Sequence, residues 1–107
     1  MADPTQQFVY VLRPVPALRD PEAWTEREER VVGDHFRRLQ ALLAEGRLIL
    51  AGKTNDLDAR TFGLVIFEAS SDEEARAIMA SDPAVAEGIM TAELFPYRIA
   101  LCREGLA

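Results

Sequence analysis

The chain has 107 residues, which is enough for one compact domain, so residues 1–107 are expected to form a single unit. Apolar residues make up 49% of the chain and exclude disorder, while a net charge of −6 disfavours nucleic acid as a partner. No apolar run approaches the ~18 residues that span a bilayer, and the first residues lack a signal-peptide pattern, so we expect a cytoplasmic protein with no membrane partner.

The first half of the chain predicts a strand, a helix and a second strand. Residues 7–13 (QFVYVLR) combine β-branched and aromatic residues and stop at a proline, as a strand does. Thr25 and Glu28 form a capping box that begins a helix, and Gly46 ends it. Residues 48–51 (LILA) are short and uniformly apolar, which favours a buried strand. The apolar stripe of the helix is predicted at steps of four, three and four residues: Val32, Phe36, Leu39 and Leu43.

The second half repeats the alternation of strand and helix. Residues 61–68 (TFGLVIFE) predict a strand, and Ser71 with Glu74 forms a second capping box that begins a helix. Residues 91–101 predict a last strand, in which Pro96 indicates an edge position or a bulge. The order β-α-β-β-α-β is that of the ferredoxin-like split β-α-β fold, an α+β domain with both helices on one face of an antiparallel sheet.

The strands of this predicted sheet are apolar on both faces. Phe8, Tyr10 and Leu12 share one face of the first strand, and Val9 and Val11 occupy the other. Two helices cover only one face, and the remaining apolar patch is larger than soluble monomers usually expose. We therefore expect a second copy of the chain to cover it in a homodimer. A monomer that holds a ligand on this face, or a different protein bound there, is the alternative.

His35 and Asp82 are the residues best suited to acid–base chemistry. Imidazole titrates near neutral pH, and this single histidine borders the predicted buried stripe. A half-buried histidine that binds a backbone carbonyl or a second copy is the structural alternative. Asp82 precedes Pro83, as an N-cap residue does, but an aspartate also fixes the tautomer of an imidazole where the fold brings the two together. Sequence spacing leaves these interpretations open.

Arg13 and Lys53 are charged residues in or beside predicted strands, where each could bind a carboxylate or phenolate of a substrate. The simpler interpretation is that their charged ends reach solvent while their stems pack. Cys102, near the end of the last strand, is expected to pack as a small hydrophobe. One cysteine and one histidine cannot form a Cys/His zinc site, so no metal is expected.

Most of the chain resembles the YciI-like (YCII-related domain) family. The resemblance lies in the runs VLRP at 11–14, DHFRRLQALLAEGRLILAGKT at 34–54, TFGLVIFEA at 61–69 and ASDPAVAEGIMTAELFPYRIAL at 80–101. It implies a ferredoxin-like fold assembled as a dimeric α/β barrel, similar to muconolactone isomerases, and an active site in which His35 and Asp82 pair. The chain departs from the family at Val32, where an arginine is common, and at Ala84, where an aromatic residue often follows Asp-Pro. Both departures predict a larger or less polar pocket.

The resemblance also implies a type of reaction. One characterised type of relative removes chloride from a chlorinated hydroxyquinol by acid–base chemistry without a cofactor. We therefore expect a cofactor-free enzyme of the lyase, isomerase or dehydrohalogenase type, in which His35 moves a proton of a small organic substrate and Asp82 orients the imidazole. The alternative is a non-catalytic small-molecule binding or accessory module whose cavity sequesters or senses its ligand.

Overall fold

The computed structural model describes residues 5–103, in which four strands form an antiparallel sheet. The strands lie in the order β2-β3-β1-β4, which confirms the ferredoxin-like arrangement predicted from the element order. None of the helices in this part of the chain combines the length and apolarity that a membrane crossing requires. The elements are β1 (Gln6–Pro14), α1 (Glu26–Ala44), β2 (Leu48–Lys53), β3 (Gly63–Ala69), α2 (Asp72–Ala80), α3 (Pro83–Ala86) and β4 (Met90–Pro96), with two 3-10 turns at Pro16–Leu18 and Pro21–Ala23.

Helix α1 begins and ends where its flanking residues predict. The Thr25 hydroxyl accepts a hydrogen bond from the backbone N–H of Arg27, and Glu28 Oε1 accepts one from the backbone N–H of Thr25 at 2.8 Å. These bonds form the predicted capping box. At the other end, Gly46 has a φ of 78°, a left-handed conformation that glycine adopts without strain and that stops the helix.

The buried face of α1 differs from the predicted stripe. Of the four positions predicted, only Leu39 belongs to the core. Val32 is half-buried, whereas the side chains of Phe36 and Leu43 are 60% and 58% exposed.

The core contacts of α1 come instead from Val31, Leu39 and Leu42. Because an apolar residue directly follows both Val31 and Leu42, the periodicity fits either of two adjacent faces, and packing on the sheet selects one. His35 lies four residues from both Val31 and Leu39, so it belongs to the buried face and not to its border.

Helix α2 has only half of its predicted capping box. Ser71 Oγ accepts a hydrogen bond from the backbone N–H of Glu74 at 3.1 Å, as predicted. The Glu74 carboxylate, however, binds the backbone N–H and hydroxyl of Ser70 and the guanidinium of Arg47. A charged donor from the start of the neighbouring strand forms a stronger hydrogen bond than the backbone N–H of Ser71 would.

Strand β4 ends at Pro96 and not at Leu101. Its partner β1 begins at Gln6, which lies opposite Arg98 in this register, so within residues 5–103 that strand offers no partner to residues 99–101. The strand is at the edge of the sheet, as the proline in its sequence indicates. Cys102 lies in the irregular segment that follows and is exposed, so the expectation that it packs as a small hydrophobe is wrong.

The helices cover one face of the sheet. On that face Phe8, Tyr10 and Phe67 are fully buried and pack against residues of α1 and α2. No helix or strand within residues 5–103 covers the opposite face. The central strands place four apolar side chains on that face: Val9 and Ile66, which are buried, and Val11 and Leu64, which are half-buried.

Thr25→Ala is expected to lower the free energy of unfolding by about 1 kcal/mol, because it removes the side chain that caps α1. Urea denaturation followed by circular dichroism measures this loss. Thr25→Ser keeps the hydroxyl and is the matched control, with an expected change below about 0.5 kcal/mol. Equal losses in the two variants would contradict the capping role.

Candidate functional site

The site forms where α1 packs against the turn that begins α3. Val31, one helical turn before His35, packs with Ala84 and Ile89 in a small buried cluster. Ala84 is two residues after Asp82. The cluster therefore fixes the distance between the segments that carry the histidine and the aspartate.

Two arginines of α1 add hydrogen bonds across the same contact. Arg27 Nη2 donates to the backbone carbonyl of Glu87 at 3.0 Å, just beyond α3. Arg38 Nη2 donates to Ser81 Oγ at 2.8 Å, directly before Asp82. These bonds lie on either side of His35 along α1, so both flanks of the site are tied to the helix.

Asp82 binds the backbone of α3 and the imidazole of His35 with one fully buried carboxylate. Its Oδ1 accepts a hydrogen bond from the backbone N–H of Ala84 at 2.9 Å, and Pro83 occupies the first helical position, so the predicted N-cap is confirmed. His35 Nδ1 lies 2.7 Å from Oδ1 and 2.8 Å from Oδ2. The two residues therefore meet within one chain.

A third side chain, Tyr10, completes the hydrogen bonding of this carboxylate. Its hydroxyl donates to Asp82 Oδ2 at 2.6 Å, and its fully buried ring packs edge-on against Phe67 with 5.6 Å between ring centroids. The sequence places Tyr10 on one apolar face of β1 but does not show that this face is the one covered by the helices or that Tyr10 belongs to the site. The available signal was that a tyrosine predicted to be buried needs a partner for its hydroxyl.

The hydrogen bonds keep Asp82 ionised in spite of its burial. Burial by itself raises the pKa of this carboxyl, but hydrogen bonds from His35, Tyr10 and the backbone of Ala84 outweigh it and hold the pKa of Asp82 below its ordinary value. Burial, followed by the nearby charge of Asp82, raises the pKa of Tyr10 far above its ordinary value. The phenol therefore stays protonated and acts as a donor.

The ionised carboxylate also sets the tautomer of His35. Because Asp82 only accepts hydrogen bonds, the proton of the neutral imidazole lies on Nδ1 and leaves Nε2 unprotonated. Nε2 forms no hydrogen bond with residues 5–103. Every buried side-chain nitrogen and oxygen in that part of the chain has a partner, so Nε2 lies where solvent reaches it. In the neutral ring, Nε2 is therefore the nitrogen that carries no proton and is accessible.

His35 lines a cavity of about 590 Å³ between α1, the sheet and the loop at residues 54–62. The volume is typical of small-molecule sites. His35, Glu29, Lys53 and Thr61 contribute the polar and charged side chains of the wall. The remainder is mainly apolar and includes Leu12, Trp24, Val32, Phe36, Leu39, Leu57, Phe62, Val65 and Met90.

The two departures from the family pattern have different structural positions. Val32 lies in the cavity wall, so the valine makes that part of the wall apolar. Ala84 is fully buried against Val31 and Ile89 and does not line the cavity. The prediction of a less polar pocket therefore applies at Val32, whereas Ala84 affects the contact between α1 and α3.

Of the two predicted substrate-binding cations, Lys53 lines the cavity and Arg13 does not. Lys53 Nζ donates to the backbone carbonyl of Thr54 at 3.0 Å. Because side chains alternate along a strand, Arg13 lies on the face of β1 opposite to the helices. Its guanidinium lies 5.5 Å from the centre of the Phe62 ring. A role for either residue in substrate binding stays a prediction. Within residues 5–103, no three His, Cys, Asp or Glu side chains converge in a group that could hold a metal ion.

The fold and the site define a small ferredoxin-like α+β domain with a buried Asp–His pair beside an apolar cavity. A family model described as the YCII-related domain matches residues 8–97, and the chain belongs to this family, as its sequence resemblance indicates.

Among solved structures, the chain is similar to 5-chloro-2-hydroxyhydroquinone dehydrochlorinase (TftG) from Burkholderia phenoliruptrix AC1100, in complex with 2,5-dihydroxybenzoquinone. The TM-score is 0.66 at 18% sequence identity, and the match covers 86% of this chain and 93% of that chain. The similarity supports the fold assignment. A search of curated protein sequences finds no match.

Asp82→Asn is expected to lower the free energy of unfolding at pH 7, and this difference from the wild type should shrink in acid. The folded-state pKa of Asp82 is below that of the unfolded chain, so its ionised carboxylate contributes stability above about pH 4. That contribution disappears as the pH falls through the folded-state pKa. Urea denaturation should show a loss of about 2 kcal/mol at pH 7 and a smaller difference from the wild type in acid.

Asp20→Asn is the matched control for this experiment. Asp20 is exposed and caps a 3-10 turn through the backbone N–H of Glu22, a contact that asparagine also makes. Its stability should match the wild type at both pH values. A difference between Asp82→Asn and the wild type that does not change with pH would contradict the ionised, hydrogen-bonded state of Asp82.

Proposed function

We propose that the protein is an enzyme that moves protons of a small organic substrate, with His35 Nε2 as the general base and acid and Asp82 as the residue that orients the imidazole. One observation carries this proposal: a buried carboxylate holds one nitrogen of the imidazole while the other nitrogen is accessible in a ring that lines a cavity. This arrangement provides a positioned base from protein groups alone. When Nε2 takes up a proton, the nearby negative charge of Asp82 stabilises the imidazolium.

The proposed reaction class is that of a lyase, an isomerase or a dehydrohalogenase. Membership of the YCII-related domain family and the similarity in fold to a dehydrochlorinase support this class. In loss of hydrogen chloride, the base removes a proton, the electron pair left behind moves through the substrate, and chloride leaves with its bonding pair. The substrate is neither oxidised nor reduced overall, so the step needs no electron acceptor.

The residues of the cavity wall favour a substrate that is small, flat and largely apolar and that carries a hydroxyl or carboxylate group. Phe36 and Phe62 offer aromatic surfaces to a ring, and Val32 and Leu57 add apolar surface. We propose that Lys53 attracts the anionic oxygen of a phenolate or carboxylate. Glu29 belongs to the same wall and would repel a second anionic group, which favours a substrate with one negative charge.

His35→Gln is expected to lower turnover by about 10² to 10⁴-fold, because glutamine cannot act as a base near neutral pH. The first substrate to test is 5-chloro-2-hydroxyhydroquinone, with chloride release as the measurement. Non-chlorinated hydroxyquinols in D₂O follow, with deuterium incorporation measured by NMR. Binding of 2,5-dihydroxybenzoquinone, measured by calorimetry, should change little in the variant. Arg30→Gln, on the exposed side of the same helix, is the matched control.

Two results would contradict this proposal. Turnover by His35→Gln at the wild-type rate would exclude His35 as the base. Binding of these compounds without turnover by the wild-type protein, and with unchanged affinity after His35→Ala, would favour the non-catalytic binding module.

We also propose that the protein is a homodimer in which two sheets pack face to face as a dimeric α/β barrel. The support is the apolar face that no helix or strand of residues 5–103 covers. Val9 and Ile66 lie at its centre and are only 6% exposed in the single chain. The accessible apolar surface comes from half-buried Val11 and Leu64 and from Leu50 and Phe95 of the edge strands, which are 38% and 44% exposed. An apolar surface of this kind is typical of a subunit interface.

Sedimentation equilibrium at micromolar concentration should give twice the chain mass of 11.9 kDa. Val11→Lys places a charge on the proposed interface and should give a folded monomer, with folding checked by circular dichroism. Gln40→Lys makes the same kind of change at an exposed position of α1 and should leave the mass unchanged. A wild-type mass of one chain would refute the homodimer.

A further inference from the structure

We propose that Tyr10 is a positioning residue for the His35 site: its hydroxyl holds the Asp82 carboxylate in the orientation in which that carboxylate binds His35 Nδ1. The geometry of the hydrogen bonds carries this inference. Its consequence for catalysis rests on the proposed function of His35. Tyr10 does not line the cavity, so it acts on the reaction only through Asp82.

Three separate elements bind the two oxygens of this carboxylate. Oδ1 faces the backbone N–H of Ala84 at 2.9 Å and His35 Nδ1 at 2.7 Å. Oδ2 faces the Tyr10 hydroxyl at 2.6 Å and the same His35 nitrogen at 2.8 Å. Without Tyr10, Oδ2 would keep only a share of the His35 proton. At Oδ2, only the hydrogen bond with His35 would then resist rotation of the carboxylate away from the imidazole.

Tyr10 is itself held in place on all sides. It lies in the middle of β1, where Val65 of β3 and Leu94 of β4 are its partners on the neighbouring strands. Its ring is fully buried and packs edge-on against Phe67. A side chain with so little freedom loses little further entropy when it forms a hydrogen bond, so it can fix the position of a less constrained group.

The charges around the phenol make it a permanent donor. Burial raises the pKa of Tyr10 most, and the Asp82 carboxylate that faces the hydroxyl raises it further. The charge of Arg38 lowers this pKa, but the first two causes prevail. The phenol therefore donates a hydrogen bond to Asp82 and keeps its proton. Among the partners of Asp82, His35 is the one whose protonation state changes during the proposed reaction.

Tyr10→Phe is the test, because it removes the hydroxyl and keeps the ring. In the substrate-free protein, a ¹³C NMR titration of the Asp82 carboxyl should show a higher pKa than in the wild type, since a hydrogen bond to the ionised form is lost. With substrate, kcat should fall roughly tenfold with little change in KM, because tenfold corresponds to about 1.4 kcal/mol and a hydrogen bond to a charged group is of about that size. Tyr97→Phe, at an exposed tyrosine, is the matched control and should change neither value.

A double variant shows whether Tyr10 acts through Asp82. Adding Tyr10→Phe to Asp82→Asn should cost no further kcat, whereas a full additional tenfold loss would overturn the inference. An unchanged Asp82 pKa together with an unchanged kcat in Tyr10→Phe would also overturn it, and the dependence of turnover on His35 would still stand. Conversely, a raised Asp82 pKa in a protein that turns over no substrate would support the positioning and reject the enzymatic function.

A second measurement keeps the test decisive if Tyr10→Phe does not fold. The chain has two tyrosines, so biosynthetic 3-fluorotyrosine in a Tyr97→Phe background labels only Tyr10. Fluorine makes the phenol a stronger donor, and the pKa of Asp82 should then fall below that of the unlabelled Tyr97→Phe protein. An Asp82 pKa that does not respond to the fluorine would overturn the inference.

Discussion

The structure around the site depends on one constraint: a fully buried carboxylate must receive hydrogen bonds from the protein. An ionised aspartate without partners in such a position would cost several kcal/mol, so donors have to converge on it. Here they come from Tyr10 on a central strand, His35 on the long helix and a backbone N–H of the short helix. The carboxylate therefore fixes the relative positions of three elements that are distant in sequence.

The same constraint agrees with the face of α1 that packing on the sheet buries. The apolar pattern of this helix fits two adjacent faces equally well, and its residues alone do not choose between them. On the face that is buried, His35 points toward Asp82, and Val31 and Leu39 pack above and below it. The face with Val32 and Phe36 is then left at the cavity. Apolar packing on the sheet and the contact between His35 and Asp82 therefore favour the same rotation of the helix.

Interactions between residues close in sequence were predictable. The capping box of Thr25 and Glu28, the glycine that stops α1 and the N-cap role of Asp82 each depend on residues a few positions apart. Local rules failed where a more distant group competed, as when Arg47 took the carboxylate of Glu74. They also carried β4 to Leu101, beyond its observed end at Pro96.

Contacts across the fold could not be predicted from spacing. His35 and Asp82 are 47 residues apart and Tyr10 and Asp82 are 72 apart, so only the assembled sheet and helices bring them together. The family resemblance implied the first pair. The second pair follows from a physical rule, because a tyrosine on the inner face of a strand needs a partner for its hydroxyl. The rule predicts that the hydroxyl has a hydrogen-bond partner, but only the folded structure shows that this partner is Asp82.

The double use of Asp82, as the cap of α3 and as the partner of His35, has a consequence for how this domain can change in evolution. A substitution at Asp82 would remove its contact with His35 and also weaken a helix start, so the pair is held by selection for stability of the fold. Val32 and Phe36 line the cavity but lie outside the main core, so they can vary at little cost to the fold. The wall of the cavity can therefore change in shape and polarity while the His35–Asp82 pair stays the same.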